Sequence, residues 1–489
     1  MIKPEYGKAR GAERVSYDVK LSAESAITTQ NEVKKPVSLS ATAFVVGTEN
    51  DDGTTKAKIK VAFRFVYLTE DGFDKSDAYA DLTAEIPFEN ALVRAIAEDS
   101  RAVSSSDGYV AKCAVKVVAD GIRKIEDNAL IGGDNLKIRE RTESIDERSA
   151  ATYDNFTITD EFDVGYAIKD VLCHGATVNV KSVQSGVSCI IFEGEVVLSL
   201  KTLPFSDGNE ILKEKRCIPF RFELENSGSL PDMRASGDCE VEKATFKVYT
   251  DEGKGKSAIS AEIALSFSGF SVETTTVTFA DDVYSVDSEI EIRREELPVC
   301  EYVGQFTTEE RLSGAASGDI PEGGKIIGTF DERVSIVGVV KTADGVTVNG
   351  IARADVAFKN ADNGITSVNA ESPFSTDIKG EGEIACVRLC LSEFEAVIKD
   401  GAIWFNYTVK AAYKSFIDKK ITVINGVNET AAREKSDAAI SVYVPQKGDT
   451  LWDISKQLRV DGDEIERLNG ELEFPLRGDE RIVVYRQKI

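Results

Sequence analysis

Hydrophobic and polar residues alternate over most of the chain, from about Val15 to Val427, in short runs separated by Gly, Asn and Asp clusters. Within Lys58 to Tyr67, every second residue is apolar, and this set is Ile59, Val61, Phe63 and Phe65. Because successive side chains of a strand point to opposite faces, such runs predict strands with one buried and one wet face. Strands of this kind are typical of antiparallel sheets, so the predicted fold class is mostly β.

An internal repeat emerges when these runs are laid against one another. Each copy combines an alternating strand, a polar turn, a Pro-Phe step, a polar loop and another alternating strand. The turns are Glu70-Asp71-Gly72, Ser206-Asp207-Gly208 and Asp362-Asn363-Gly364, and the steps are Pro87-Phe88, Pro219-Phe220 and Pro373-Phe374. We therefore predict three repeated β-rich, sandwich-like domains at residues 1–147, 148–304 and 305–435.

The Pro-Phe steps are more frequent than chance predicts. With 11 prolines and 23 phenylalanines in 489 residues, about half a Pro-Phe pair is expected. Four such pairs occur, of which Pro204-Phe205 lies outside the repeat frame. Since proline donates no ladder hydrogen bond, a proline before a large aromatic anchor predicts a strand at the edge of a sheet.

Near its end the chain changes to helical spacing. The turn Lys447-Gly448-Asp449 follows a short β-run, and Asp449 or Thr450 can cap a helix predicted from Leu451 to about Leu458. A second capped segment, Asp461 to Leu468, ends at Asn469-Gly470, and a strand returns from Ile482 to Tyr485. The prediction is a small β-α-α-β domain at residues 442–486.

Composition narrows the choice of partners. Asp and Glu number 84 against 59 Lys and Arg, which gives a formal net charge of -25. Such a chain repels nucleic acid and anionic lipid surfaces, so proteins or neutral glycans are the expected partners. We expect no membrane span, because no run of about 18 apolar residues occurs. No export signal is visible, and the scattered cysteines without a CxxC pair favour the reduced thiols of a cytosolic protein.

Candidate catalytic chemistry is sparse. The one histidine, His174, ends an apolar run, which favours a structural or surface role over catalysis. A dyad with Cys173 is disfavoured, because neighbours on a strand point to opposite faces. With one imidazole and no CxxC pair, no zinc site is indicated, and the glycine pairs lack phosphate-loop spacing. We expect no enzyme activity, no catalytic residue, no metal and no cofactor.

The last stretch resembles a LysM domain. The match runs through Tyr443, Gly448-Asp449-Thr450-Leu451, Ile454, Ile465, Leu468-Asn469-Gly470 and Gly478. The resemblance implies a groove for N-acetylated glycans, such as peptidoglycan or chitin, between the first and last loops. Here the last loop is one residue longer and holds several charged side chains, which favours a protein partner. The expected ligand- or partner-binding residues are Gly448, Asp449, Thr450, Leu451, Trp452, Asn469, Leu476, Arg477 and Gly478.

Trp452 has two alternative roles in this prediction. Its indole could stack on a sugar, but an aromatic residue beside Leu451 on a short helix more often closes a small core. The choice matters, because only the first role would make Trp452 part of a binding surface.

Three β-rich units with Pro-Phe steps, followed by a LysM-like module, resemble spore-coat morphogenetic proteins of the SpoVID and SipL type, whose repeated unit is the SPOCS domain. The step Asp282-Val283-Tyr284-Ser285 is also similar to one common in that family. The resemblance implies a protein of the mother-cell cytoplasm that coats the developing spore at the forespore surface. It also implies a tether between the coat and the ATPase SpoIVA.

Three classes of function follow from these observations. A non-catalytic scaffold in spore-coat assembly, which binds a coat protein through the LysM-like module, agrees best with the domain order and the missing export signal. A glycan-binding cell-wall protein is the alternative, and it requires an export route. An enzyme targeted by the module comes third, because the sequence offers no catalytic site.

Overall fold

The computed structural model describes residues 1–106, 108–205, 210–251, 253, 255–432, 440–470 and 472–485. The regular elements within these residues are β-strands, apart from two helices near the C-terminus, and the predicted class of mostly β is confirmed. The predicted turn Ser206-Asp207-Gly208 and the predicted domain limits at 435 and 486 lie outside the described residues.

Six strands form a first pair of sheets. They are β1 (Lys3–Ile27), β2 (Lys35–Asp51), β3 (Thr54–Thr69), β4 (Gly72–Ile86), β5 (Leu92–Ser105) and β6 (Gly108–Asp134). One sheet has the order β1-β6-β5 and the other the order β2-β3-β4, with antiparallel neighbours throughout. The two sheets bury one shared core, which contains Ile59, Val61, Phe63 and Phe65 as the alternation predicts.

The second pair of sheets follows the same plan with one strand interrupted. Its strands are β7 (Lys137–Arg148), β8 (Thr152–Val164), β9 (Ile168–Ser185), β10 (Cys189–Pro204), β11 (Leu212–Glu225), β12 (Arg234–Asp251) and β13 (Lys256–Tyr284). Strand β13 pairs with β12 and β8 in its first half and with β7 in its second half. The facing sheet has the order β11-β10-β9, and both sheets contribute to one core.

The third pair of sheets returns to six strands. They are β14 (Ser288–Ala316), β15 (Lys325–Thr342), β16 (Gly345–Lys359), β17 (Ile365–Lys379), β18 (Glu383–Lys399) and β19 (Ala402–Ala432). The sheet orders are β14-β19-β18 and β15-β16-β17, again around a shared core. If β7 and β8 are taken as one strand, all three pairs therefore have the same strand order.

Two of the three Pro-Phe steps lie on edge strands, as predicted. Pro219-Phe220 is on β11 and Pro373-Phe374 on β17, and each ring packs over a glycine of the neighbouring strand. A Cβ would lie 2.8 Å from the Phe220 ring at Gly194 and 2.4 Å from the Phe374 ring at Gly350, so a side chain there would collide with the ring. The first step differs: Pro87-Phe88 follows the end of β4, and it is not at the equivalent place.

The longest strands continue beyond the sheet pairs as two-stranded ribbons. Each ribbon has a bulge at a corresponding place, where Ile131, Asp281 or Asn425 is skipped in the register. The first strand of each sheet pair thus pairs with the last. Strand partners change between β6 and β7 and between β13 and β14, whereas the predicted limit after residue 147 falls within β7 and that after residue 304 within β14.

A separate apolar cluster joins the three sheet pairs, and we call it the central cluster. It contains Val37, Val66, Phe73, Leu172, Cys173, Leu203, Ile211, Phe330, Ala357 and Ile365. Charged groups also cross between the pairs: Asp238 of β12 lies 3.0 Å from the Lys414 Nζ of β19. Burial raises the pKa of Asp238, but Lys414 and Arg388 outweigh it and hold the pKa well below its usual range. The three sheet pairs therefore pack against one another as one body, which we call the platform.

Candidate partner-binding site

The C-terminal module contains β20 (Ile440–Tyr443), α1 (Leu451–Leu458), α2 (Gly462–Asn469) and β21 (Ile482–Tyr485). Strand β20 pairs antiparallel with β21, and the order of elements is the predicted one. Helix α1 has the predicted bounds, whereas α2 begins and ends one residue later than predicted. The module has its own core, formed by Ile454, Val460, Ile465, Leu476, Ile482 and Val484.

The turn before α1 is fixed by two acidic side chains with different tasks. Thr450 is the N-cap, and its hydroxyl and the Asp453 carboxylate form a reciprocal capping box with the backbone. Asp449 instead holds the turn, since its carboxylate accepts hydrogen bonds from the Gln446 N–H at 2.8 Å and the Tyr443 hydroxyl at 3.1 Å. The loop is therefore preorganised.

The loop before α1 lies beside the loop before β21, and we call residues 446–450 and 476–480 the paired loops. The Gly448 N–H donates to the Leu476 carbonyl, and the Leu476 N–H donates to the Asp449 carbonyl, both at 2.9 Å. At Gly478, with φ at +94°, a Cβ would come within 3.0 Å of the Lys447 nitrogen. The paired loops thus bring together six predicted site residues: Gly448, Asp449, Thr450, Leu476, Arg477 and Gly478.

Glu480 orders the second of the paired loops. Its carboxylate accepts hydrogen bonds from the backbone N–H groups of Arg477 at 3.0 Å and Gly478 at 2.8 Å. These bonds lower the pKa of Glu480. The Arg477 side chain is exposed and lies 3.0 Å from the exposed Glu473 carboxylate, a contact that contributes little in water. Arg477 is therefore available for a partner's carboxylate.

Three predicted site residues, Leu476 among them, support the module's fold. Leu476 is 2 % exposed and belongs to the core, and Leu451 packs against the same core. The Asn469 amide donates to the carbonyls of Ile465 and Val483 at 2.8 Å each, and its oxygen accepts from the Val483 N–H at 2.6 Å. Asn469 thus joins α2 to β21 and has no role in the paired loops.

Trp452 lies outside the module's own core, and its place in a binding surface stays a prediction. Its indole Nε1 donates to the Asp282 carboxylate on β13 at 3.0 Å. Its ring lies edge-on to Tyr284, with centroids 5.1 Å apart, and the Arg139 guanidinium lies 5.7 Å from the ring centre. Trp452 therefore attaches the module to the ribbon of β7 and β13.

Further contacts of this kind extend along one side of the module, which we call the docking face: Trp452, Lys456, Arg459, Val460 and Asp461. Lys456 Nζ lies 2.6 Å from the Asp282 carboxylate, and the Tyr284 hydroxyl donates to the Val460 carbonyl at 2.7 Å. Ion pairs join Arg459 to Glu289 and Asp461 to Lys137.

Contacts of the docking face change the pKa of Asp282, the carboxylic acid at its centre. Burial raises the pKa of Asp282, but hydrogen bonds from Lys456 and Trp452 outweigh that effect and lower it. The sequence spacing gave no signal for this contact, because Trp452 and Asp282 are 170 residues apart. The step Asp282-Val283-Tyr284-Ser285, which resembles one of the spore-coat family, contains both Asp282 and Tyr284.

The docked orientation leaves the paired loops open. Among the described residues, no hydrogen bond or ion pair joins either loop to the three sheet pairs. The module is thus held by α1 and the residues that follow it, while the paired loops share none of these bonds. This arrangement can bind an extended or charged ligand across the loops.

His174 has a structural contact elsewhere in the chain. Its Nδ1 lies 2.9 Å from Arg64 Nη1, and its ring lies edge-on to Phe246. Burial, followed by the positive charge of Arg64, lowers the pKa of His174 to about 3. The imidazole is therefore neutral near pH 7, and Nδ1 accepts the hydrogen bond from Arg64.

The described residues contain neither a metal-binding group nor a membrane-spanning helix. In that part of the chain, no three His, Cys, Asp or Glu side chains are grouped so that they could hold a metal ion. Its helices include none with the length and apolar character required to cross a membrane.

Comparison of the chain with models of known protein families, with curated proteins and with solved structures finds no match.

Proposed function

We propose that this protein is a non-catalytic scaffold in spore-coat assembly, and that its C-terminal module binds a coat morphogenetic protein. The observation that carries the proposal is the pairing of the two loops through Gly448, Asp449 and Leu476. The pairing places the exposed Arg477 beside ordered backbone groups on a surface that the docking face leaves open. The chemistry favours an acidic segment of a partner, because guanidinium groups bind carboxylates with directional hydrogen bonds.

The architecture supports the same proposal. Under this proposal, the three sheet pairs are three related SPOCS-like domains, and the C-terminal module is a LysM domain. Their common strand order agrees with a repeated unit, and the β-α-α-β order agrees with the LysM resemblance. A platform built of repeated sandwiches with one attached module suits a protein that spaces other proteins in a layer. The proposed place is the mother-cell cytoplasm at the forespore surface, with a SpoIVA-like ATPase as the partner.

A glycan ligand is the second candidate, and the paired loops themselves favour it. Backbone groups from two adjoining loops are what a LysM-like groove would use to bind an N-acetylated glycan such as peptidoglycan or chitin. The same surface thus serves either candidate, and the two differ in whether charged side chains matter.

The deciding experiment changes one charge on the paired loops. We expect Arg477→Glu to reduce capture of the coat ATPase from a lysate of sporulating cells by at least about tenfold, because a carboxylate would then face a carboxylate. Arg467→Glu is the matched control, since Arg467 is equally exposed on the same module but lies on α2. Circular dichroism should show both variants folded.

A different pair of results would contradict the scaffold proposal. If Arg477→Glu captures the ATPase as well as the unchanged protein does, and the unchanged protein binds chitin or peptidoglycan fragments tightly, the scaffold proposal for this surface is wrong. The glycan-binding function would then replace it.

A further inference from the structure

Strand β20 and the next residue, Val444, present an apolar row to solvent at the edge of the module. Ile440, Val442 and Val444 are 56 %, 59 % and 56 % exposed, while Ser441 and Tyr443 between them face the helices and are half-buried. Val442 lies directly opposite Val483 in the register with β21, so Val483 adds to the same open face. The outward positions are therefore the apolar ones, which reverses the usual arrangement of a solvent-facing strand.

The segment lacks the charges that normally protect an edge strand, although β20 is only 4 residues long and Pro445 follows it. Residues 440–446 (ISVYVPQ) contain no charged side chain, although 29 % of the chain is charged. Exposed edge strands usually carry lysine or another charge that prevents pairing with a second chain. Among the described residues, β20 is hydrogen-bonded to one strand, β21, and its other edge has no strand partner.

We propose that β20 pairs antiparallel with β20 of a second copy of this chain, with Val442 on the two-fold axis. In this register Ile440 of one copy lies opposite Val444 of the other, and Val442 lies opposite Val442. Every outward cross-strand pair is then apolar, which stabilises an antiparallel pair. The two-stranded sheet becomes four-stranded, and strands β21-β20-β20-β21 satisfy the backbone groups of both free edges.

A second copy fits this edge better than a charged partner does. The row offers no side-chain charge for a polar partner to pair with, whereas it is complementary to itself about the two-fold axis, as an isologous contact requires. Two chains of formal charge -25 repel each other at long range, and salt screens this repulsion with a Debye length of about 10 Å at 0.1 M. Pairing should therefore strengthen as salt is added, unlike a contact made by opposite charges.

The proposed β20–β20 interface is small, and its size limits the affinity of the dimer. Three exposed side chains and one strand edge bury less than the roughly 800 Å² per partner of a standard interface. We therefore expect a weak, concentration-dependent dimer that becomes effective where many copies are held close together, as multivalent contacts do. This inference does not rest on the partner of the paired loops.

Cysteine cross-linking tests the register. In a Cys217→Ser background, which removes an exposed native thiol, Val442→Cys should form a disulfide-linked dimer under mild oxidation. Opposed residues of an antiparallel pair have Cα atoms about 4.5–5.5 Å apart, within the range of a disulfide. Ile440→Cys is the matched control: it is as exposed as Val442, but the two copies would lie roughly 13 Å apart along the strands.

Sedimentation velocity gives a second measurement without new thiols. The unchanged protein should shift from monomer toward dimer as concentration and salt rise, and Val442→Lys should remain monomeric. Val339→Lys, at a similarly exposed valine on β15, should behave like the unchanged protein. The inference fails if the two cysteine variants cross-link equally or not at all, or if Val442→Lys leaves dimerisation unchanged. It also fails if the chain stays monomeric while Val442→Lys abolishes binding of a different protein, because β20 would then pair with that protein.

Discussion

At the scale of single residues, the contact between His174 and Arg64 couples the stability of the platform to pH. The folded protein lowers the pKa of His174 to about 3, whereas an unfolded histidine titrates near 6.5. Below pH 6.5 the unfolded chain therefore binds a proton that the folded chain cannot bind until about pH 3. Stability is fully present above pH 6.5 and falls as the pH decreases through this window.

We predict that His174 lowers the free energy of unfolding by about 2 kcal/mol between pH 7 and pH 5. Urea unfolding at the two pH values measures this loss. His174→Gln retains an acceptor for Arg64 but does not titrate in the window, so its loss over the same range should be smaller by that amount. Equal losses in the two proteins would show that His174 is not the titrating group.

At the scale of elements, the docking of α1 on the ribbon of β7 and β13 is centred on one carboxylate, that of Asp282. Asp282 accepts hydrogen bonds from both Trp452 and Lys456. We predict that Asp282→Ala releases the docking face, because it leaves the Lys456 ammonium and the indole N–H without their acceptor, at a cost of about 1–3 kcal/mol. Hydrogen exchange should then rise around Tyr284 and along residues 456–461.

The module itself should stay folded in this variant. Its core does not include Trp452, so protection of β21 should be unchanged. Asp127→Ala is the control, because the Asp127 carboxylate on β6 accepts a hydrogen bond from Asn425 of β19 and, among the described residues, has none to the module. Release of the docking face in the control as well would assign the effect to the ribbons in general.

The features of the fold that the sequence predicts are those that depend on residues close together in the chain. The alternation of Ile59 to Phe65 predicted buried faces correctly, and the cap at Thr450 predicted the start of α1, because both depend on neighbours within a few residues. The contact of Trp452 with Asp282 cannot be predicted from local spacing, because the two residues are distant in the chain. The predicted domain limits after residues 147 and 304 stay predictions; they fall within β7 and β14, whose partners β13 and β19 lie far along the chain and leave no local signal.

At the scale of the whole molecule, the central cluster couples the three sheet pairs. Phe330 of β15 is 1 % exposed and lies 6.2 Å from the ring of Phe73 on β4, with Lys201 Nζ of β10 at 5.5 Å from its centre. We predict that Phe330→Ala costs about 3–5 kcal/mol and increases hydrogen exchange in β3, β10 and β16 together.

Phe405→Ala provides the comparison. Phe405 is fully buried within the core of the third sheet pair alone. The loss of packing should be similar, but the increase in exchange should centre on β16 and its neighbours. If Phe330→Ala affects the third sheet pair only, the central cluster does not couple the three.

The length of β19 has a mechanical consequence. This strand runs for 31 residues, roughly 100 Å at 3.3 Å per residue, and pairs with β14 from Ala316 to Ser288. A force that pulls on the module first loads the docking face and, once that face is released, reaches the sheet pairs at the end of β19. Because ladder hydrogen bonds lie perpendicular to the strands, tension loads many of them in shear at once, whereas a peeling force would break them one after another. Tension directed along β19 is therefore shared by its long ladder with β14.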